Sequence, residues 1–105
     1  LFNNISGKFD LVLFNPPYLP KDKREDKASA RITSGGKRGD EIILRFLKQA
    51  KVHLNKSGVI LLVISSLTPL NRINALLEKL SLSYKILASE KYFMEELFVW
   101  EIKGK

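Results

Sequence analysis

Two strand-length runs of almost unbroken apolar residues constrain this chain more than any other feature. Phe9 to Phe14 reads FDLVLF and Gly58 to Ser65 reads GVILLVIS. Neither alternates polar with apolar residues, so both predict parallel strands buried on both faces. Parallel strands need a crossover, and the intervening sequence supplies one. From Asp40 onward, Ile43, Phe46, Leu47, Ala50 and Leu54 recur at three- and four-residue spacing, with Arg45, Lys48, Gln49 and Lys51 opposite, which predicts an amphipathic helix. Asp40 or Glu41 suits its positive start, and Asn55 to Gly58 reads as a turn. Thr68-Pro69 predicts the opening of a shorter helix, a capping hydroxyl followed by proline, with Ile73, Leu76, Leu77 and Leu80 as its apolar stripe. Tyr84 to Tyr92 and Leu97 to Ile102 predict a terminal hairpin joined around Met94 to Glu96. The order strand, helix, strand, helix, strand, strand implies an α/β fold, with right-handed crossovers, a parallel sheet and one antiparallel strand added by the hairpin.

Composition narrows what such a sheet can do. A chain of 105 residues, 45% hydrophobic and 28% charged, holds one domain at most. No apolar run approaches about 18 residues and no signal-peptide layout is present, so the expectation is a cytoplasmic protein without a membrane segment. The absence of cysteine excludes disulfides and thiolate metal sites, and a single histidine, His53, implies no metal. His53 falls near the negative end of the first helix, where it reads as solvated or capping. Phe98 and Trp100, alternating with Val99 and Glu101, read as packing or interface residues. The net charge of +7 favours negatively charged partners such as nucleic acid or a ribosome-associated protein, although lysine also serves solubility alone. Lys21 to Arg38 has no hydrophobic period and sets seven basic residues against Asp22, Glu25 and Asp26, a net +4. It reads as a long loop, either in contact with substrate or a solvated flap.

The residues that carry chemistry are Asn15-Pro16-Pro17-Tyr18, directly after the first strand. Open α/β sheets bind ligands beyond the carboxyl ends of their parallel strands. Each proline fixes its own φ and restricts the residue before it, so Asn15 and Pro16 are held in a narrow range of backbone geometry. The result is a stiff rim offering the Asn15 side-chain oxygen and the Pro16 carbonyl, with the Tyr18 ring behind. Two converging acceptors suit a planar NH2 group, each taking one hydrogen while an aromatic face stacks on the attached π-system. The lone pair of such a nitrogen is delocalised. As it attacks a sulfonium methyl it becomes more tetrahedral and more positive, and acceptors placed for that geometry favour the transition state.

The strand and motif together, FDLVLFNPPYLP, resemble the amino-methyltransferase motif of the adenine N6 and glutamine N5 methyltransferases. Gly35-Gly36-Lys37-Arg38-Gly39-Asp40-Glu41-Ile42 is similar to the glycine segment before the next helix in the HemK-like family of release-factor glutamine methyltransferases. Pro20 and the short C-terminal end look more like the archaeal and eukaryotic branch than the bacterial one. The resemblance implies a Rossmann-like class I fold and an activity dependent on S-adenosyl-L-methionine. It implies that Asn15 and Pro16 bind the glutamine amide, that Tyr18 packs on it, that Asn15 lies near the donor methyl, and that Pro17 is structural. Gly35, Gly36 and Gly39 either shape the pocket wall or serve as a lead-in to the helix.

The family's donor site needs a glycine-rich loop after its first strand and an acidic residue after its second, and neither occurs in this sequence. The expectation is therefore that residues 1–105 are the C-terminal, substrate-facing part of the domain, and that the N-terminal cofactor-binding part would precede Leu1. A strand as apolar as the first would then have an open edge, suited to self-association, an activating subunit or the missing strands. The implied partner is a translation release factor, with nucleic acid possible. An adenine N6 methyltransferase of DNA or RNA and a non-catalytic basic binding module are the competing functions.

Overall fold

The computed structural model describes residues 1–16 and 39–105. Among the described residues, four strands and two helices follow one another in the expected order: β1 (Phe9–Phe14), α1 (Glu41–Val52), β2 (Leu54–Ser65), α2 (Asn71–Lys79), β3 (Leu82–Tyr92) and β4 (Glu95–Gly104). The strands form one sheet in the order β1-β2-β4-β3. β1 and β2 are parallel, while β4 runs antiparallel to both β2 and β3. The last strand is thus inserted between its two predecessors, so the carboxyl ends of β1, β2 and β3 lie at one end of the sheet.

The core follows from the side-chain period of two. Val12 aligns with Ile60 and Phe14 with Leu62, and Ile60, Leu62 and Ile64 pair with Ile102, Trp100 and Phe98. This face packs against Ile43, Phe46, Leu47 and Ala50 of α1 and Ile73, Leu76 and Leu77 of α2. The opposite face has no helix over it among the described residues. Leu11 and Leu13 are 53% and 66% exposed, and Val59, Leu61 and Val63 are only partly covered. The sequence predicted burial on both faces for β1. The described residues bury one, because both helices lie on the same side.

The hairpin strands run longer than expected, Leu82–Tyr92 and Glu95–Gly104, and turn at Phe93–Met94 rather than around Met94 to Glu96. Three further boundaries differ from the sequence reading, each for a local reason. Leu54 leaves the first helix and begins β2; His53 caps α1, its ring stacked on Phe2 at 4.9 Å with Nδ1 donating to the Gly7 carbonyl at 2.9 Å. The turn at Asn55 to Gly58 is a bulge within β2, where pairing jumps from Phe9–Leu54 to Leu11–Val59. Leu70, not Thr68, takes the N-cap position of α2; the chain makes a further turn at Thr68. The Thr68 backbone N–H turns back to the Ser65 carbonyl at 3.0 Å, and the helix starts only at Asn71, after Leu70.

Candidate active site

The carboxyl end of β1 is anchored from below. Phe14 stacks on Phe46 of α1, ring centres 4.1 Å apart, which fixes where the chain leaves the sheet. Asn15 follows and is exposed, whereas Pro16 is buried. By strand parity Asn15 continues the row of Leu11 and Leu13 on the helix-free face. There it lines a cleft of about 310 Å³ that crosses the sheet, with Val63 of β2, Leu97 and Val99 of β4, and Glu90 and Tyr92 of β3. Of the predicted motif, Asn15 thus lines an open cleft, whereas Pro16 is buried and is not among the residues that line it. Pro17, Tyr18, Gly35, Gly36 and the basic stretch from Lys21 to Arg38 lie outside the described residues.

Gly39 brings the chain back. Its φ of +93° is in the region that L side chains rarely adopt, so this glycine serves the backbone at the entry to α1. Next to it Asp40 takes the N-cap position but makes no side-chain cap. Its buried carboxylate instead receives both Nε and Nη2 of Arg72, the former at 2.9 Å. The pair ties the start of α1 to the start of α2 behind the carboxyl end of the sheet. Arg72 is held more firmly protonated than usual, first by its hydrogen bond to Asp40, which outweighs the opposing effect of burial, and further by the charges of Asp40 and Glu41.

The far wall is held as tightly. Ser65, buried at the end of β2, donates to Glu95 Oε2 at 2.6 Å and accepts the Leu67 N–H at 3.0 Å. Ser66 N–H donates to the Glu96 carbonyl at 2.8 Å, and Ser66 Oγ accepts the Glu96 N–H at 2.9 Å. These bonds clamp the base of the β3–β4 hairpin to the end of β2. Sequence reasoning found neither the clamp nor the Asp40–Arg72 pair. Serines at a strand end and an arginine 32 positions from its partner carry no periodic signal.

The described residues do not make a complete site for S-adenosylmethionine. Their glycines are Gly7, Gly39, Gly58 and Gly104, and none follows the carboxyl end of β1, β2 or β3. Asn15 is the residue among them with a side chain open to the cleft at the end of β1. No group of three or more potential metal ligands occurs among the described residues, and no helix among them is long and apolar enough to cross a membrane.

Comparison with known proteins points the same way as the motif. The profile of the family described as Eco57I restriction-modification methylase matches residues 2–97. A putative protein N5-glutamine methyltransferase of Methanocaldococcus jannaschii is 42% identical over 101 residues, covering 94% of this chain and 51% of that protein. The release factor glutamine methyltransferase of Borreliella burgdorferi is 35% identical over 68 residues, covering 59% of this chain and 24% of its own length. Among solved structures, the Mtq2–Trm112 complex of E. cuniculi, responsible for methylation of the eRF1 translation termination factor, matches with a TM-score of 0.62. That match has 27% identity and covers 91% of this chain and 52% of that one. The chain therefore spans about half the length of the most extensively matched of these relatives, and its mixed sheet is of the Rossmann-like methyltransferase type.

Proposed function

The chain belongs to the Eco57I restriction-modification methylase family, and from that premise we propose that the protein carrying it methylates the side-chain amide of a glutamine in a translation release factor. The observation that carries this reading is the placement of Asn15 and Pro16. An exposed asparagine followed by a buried proline ends a parallel strand and opens on a cleft. The names of the relatives support the choice of acceptor, since two are glutamine methyltransferases and the structural neighbour acts on a termination factor.

In this reading the Asn15 side-chain oxygen and the Pro16 carbonyl accept the two amide hydrogens, and Tyr18 packs on the amide plane. The donor, S-adenosyl-L-methionine, supplies an electrophilic methyl group. As the nitrogen bonds to the methyl, the sulfonium S–C bond would break with its electron pair left on sulfur, giving S-adenosylhomocysteine and, after transfer, a proton released to solvent. The nitrogen loses conjugation and gains positive charge on the way, so both acceptors bind it more strongly than in the ground state. No strong general base is needed before attack, because the proton becomes acidic only as the new bond forms.

We assign residues 1–105 to the substrate side of the domain. The remaining strands would pair with the free edge of β1, and their helices would cover Leu11, Leu13, Val59 and Leu61 on the bare face. Those elements would hold most of the cofactor. An activating subunit is part of the same proposal, because the neighbouring Mtq2 is a complex with Trm112. The basic stretch from Lys21 to Arg38 is assigned to substrate contact, and the cytoplasm, where translation occurs, is the proposed location.

Adenine N6 is the second reading, favoured by the family description, because an adenine amino group presents the same two hydrogens to the same acceptors. The test is methyl transfer by the complete gene product to a release factor and to an adenine-containing duplex. The release factor is the expected acceptor. Methylation of the duplex alone would overturn the choice. Asn15→Ala should lower transfer by about 100-fold or more while S-adenosylmethionine affinity changes little, the size expected for losing an acceptor aimed at the reacting group. Unchanged transfer would remove Asn15 from the mechanism.

A further inference from the structure

The tip of the β3–β4 hairpin departs from the usual chemistry of such turns. Tyr92 pairs with Glu95, leaving Phe93 and Met94 as a two-residue loop. Loops of this length favour Asn-Gly or other glycine-containing pairs, because they require positive φ. Here Met94 has φ +63°, and the side chains of Phe93 and Met94 are 92% and 80% exposed. Large apolar groups in water and a non-glycine residue in the left-handed region both disfavour the described fold, so stability does not explain either. The tip is nevertheless held in place by the Ser65 and Ser66 clamp at its base.

The hairpin is also aimed. Between Ile86 and Ala88 the β3 register shifts against β4, with Leu87 as the extra residue. The bulge changes which residues of β3 share a face with Leu97 and Val99: Ala88 pairs with Val99 and Glu90 with Leu97. Glu90 and Tyr92 therefore line the same cleft as Asn15. Three inter-strand steps separate β1 from β3, about 14 Å, which roughly four residues of extended chain would span.

We propose that Phe93 and Met94, with Tyr92 and Glu90 behind them, form a docking ridge for the polypeptide that carries the acceptor glutamine, gripping residues beside it while the amide reaches Asn15. This assignment rests on the amide-acceptor reading above. Continuity of the cleft from Asn15 to Tyr92 places the ridge beside the reacting group. Exposed aromatic and methionine side chains are what protein interfaces use. Charge selects the same occupant. From Glu90 to Glu96 the hairpin sets three carboxylates against Lys91, which repels phosphate and suits a neutral or basic peptide. Lys8, Lys51, Lys56 and Lys105 gather instead round a hollow at the opposite end of the sheet.

The deciding variant is Phe93→Asn with Met94→Gly in the complete gene product. It supplies a favoured hairpin turn, so Tm should hold or rise. KM for the release factor should increase about tenfold or more, as for loss of an interface anchor, with KM for S-adenosylmethionine unchanged. Glu90→Lys should also raise KM for the release factor, by an amount that shrinks with added salt. A wild-type KM in the double variant would overturn the ridge, leaving the acceptor reading intact. Loss of Tm together with altered donor KM would overturn it too, showing that the tip packs on the rest of the molecule. A wild-type enzyme inert toward the release factor would overturn the acceptor reading and the ridge with it.

Discussion

The pair Asp40–Arg72 shows how a residue can serve the site without touching it. Asp40 is 1% exposed and carries a charge at the entry to α1, one residue after the chain returns from the stretch that follows Pro16. Removing the guanidinium leaves that carboxylate buried without its main partner, the situation in which broken ion pairs are most destabilising. Arg72→Met is expected to lower Tm by about 5 °C or more for a domain of this size. Adding Asp40→Asn should recover a large part of that loss, because the buried charge that Arg72 offset is gone, and thermal unfolding of the four members of the cycle measures it. Equal Tm values for the wild type and Arg72→Met would show that the pair is not structural. Nothing in the sequence announced the contact. Asp40 was legible only as a helix-start acid, and its carboxylate was expected to face the helix end.

At the scale of elements, the hairpin shows both what patterning reveals and where it stops. Alternating Phe98 and Trp100 predicted a packed strand, and Trp100 is indeed buried, with Tyr84 stacked on it at 3.7 Å. Glu101, on the other face, lies between Lys103 at 3.3 Å and Lys85 at 3.5 Å. Burial pushes its carboxyl upward, but the two ammonium groups together outweigh it and hold the group below the usual glutamate value. A carboxylate lowered in the folded state adds stability above its unfolded pKa and loses it as pH falls through the folded one. The contribution of Glu101 is therefore intact at neutral pH and fades only below about pH 4.3, the ordinary glutamate value. Glu101→Gln should make the acid loss of Tm shallower in that window and leave its slope between about pH 6 and 8 unchanged. Parallel slopes in wild type and variant at low pH would show that the lysines do not act on this group. The bulge at Leu87 was beyond sequence reasoning, since one extra residue in an eleven-residue strand leaves no compositional mark.

For the molecule as a whole, the two faces of the sheet differ in kind. One is closed by α1 and α2, and the other presents Phe9, Leu11 and Leu13 at 42%, 53% and 66% exposure beside Val59 and Leu61. Among the described residues β1 has a strand neighbour on one side only. An apolar face joined to an open edge is a template for further strands. The 105-residue chain expressed alone should therefore associate in a concentration-dependent way, and Leu13→Lys should shift it toward monomer in sedimentation velocity. A monodisperse wild-type monomer at high concentration would show that this face is stable in water. Donor binding to the same isolated chain should be much weaker than to the complete gene product, since the described residues hold no glycine loop at a parallel strand end. Micromolar binding in calorimetry would contradict that.

The amino-acid sequence by itself determined the two apolar strands, the helical crossover between them and the Asn15–Pro16 corner. These are local facts, written in runs, periods and proline geometry over a few neighbouring residues. The same locality made the terminal hairpin and its two strands legible. Only the tertiary structure decided that β4 lies between β2 and β3, and that Asn15, Glu90 and Tyr92 share one cleft. It alone decided that Asp40 faces Arg72, and that the face bearing Leu11 and Leu13 has no helix over it among the described residues. Each of those depends on which distant segments meet, and a strand's own pattern is the same whatever lies across the sheet from it.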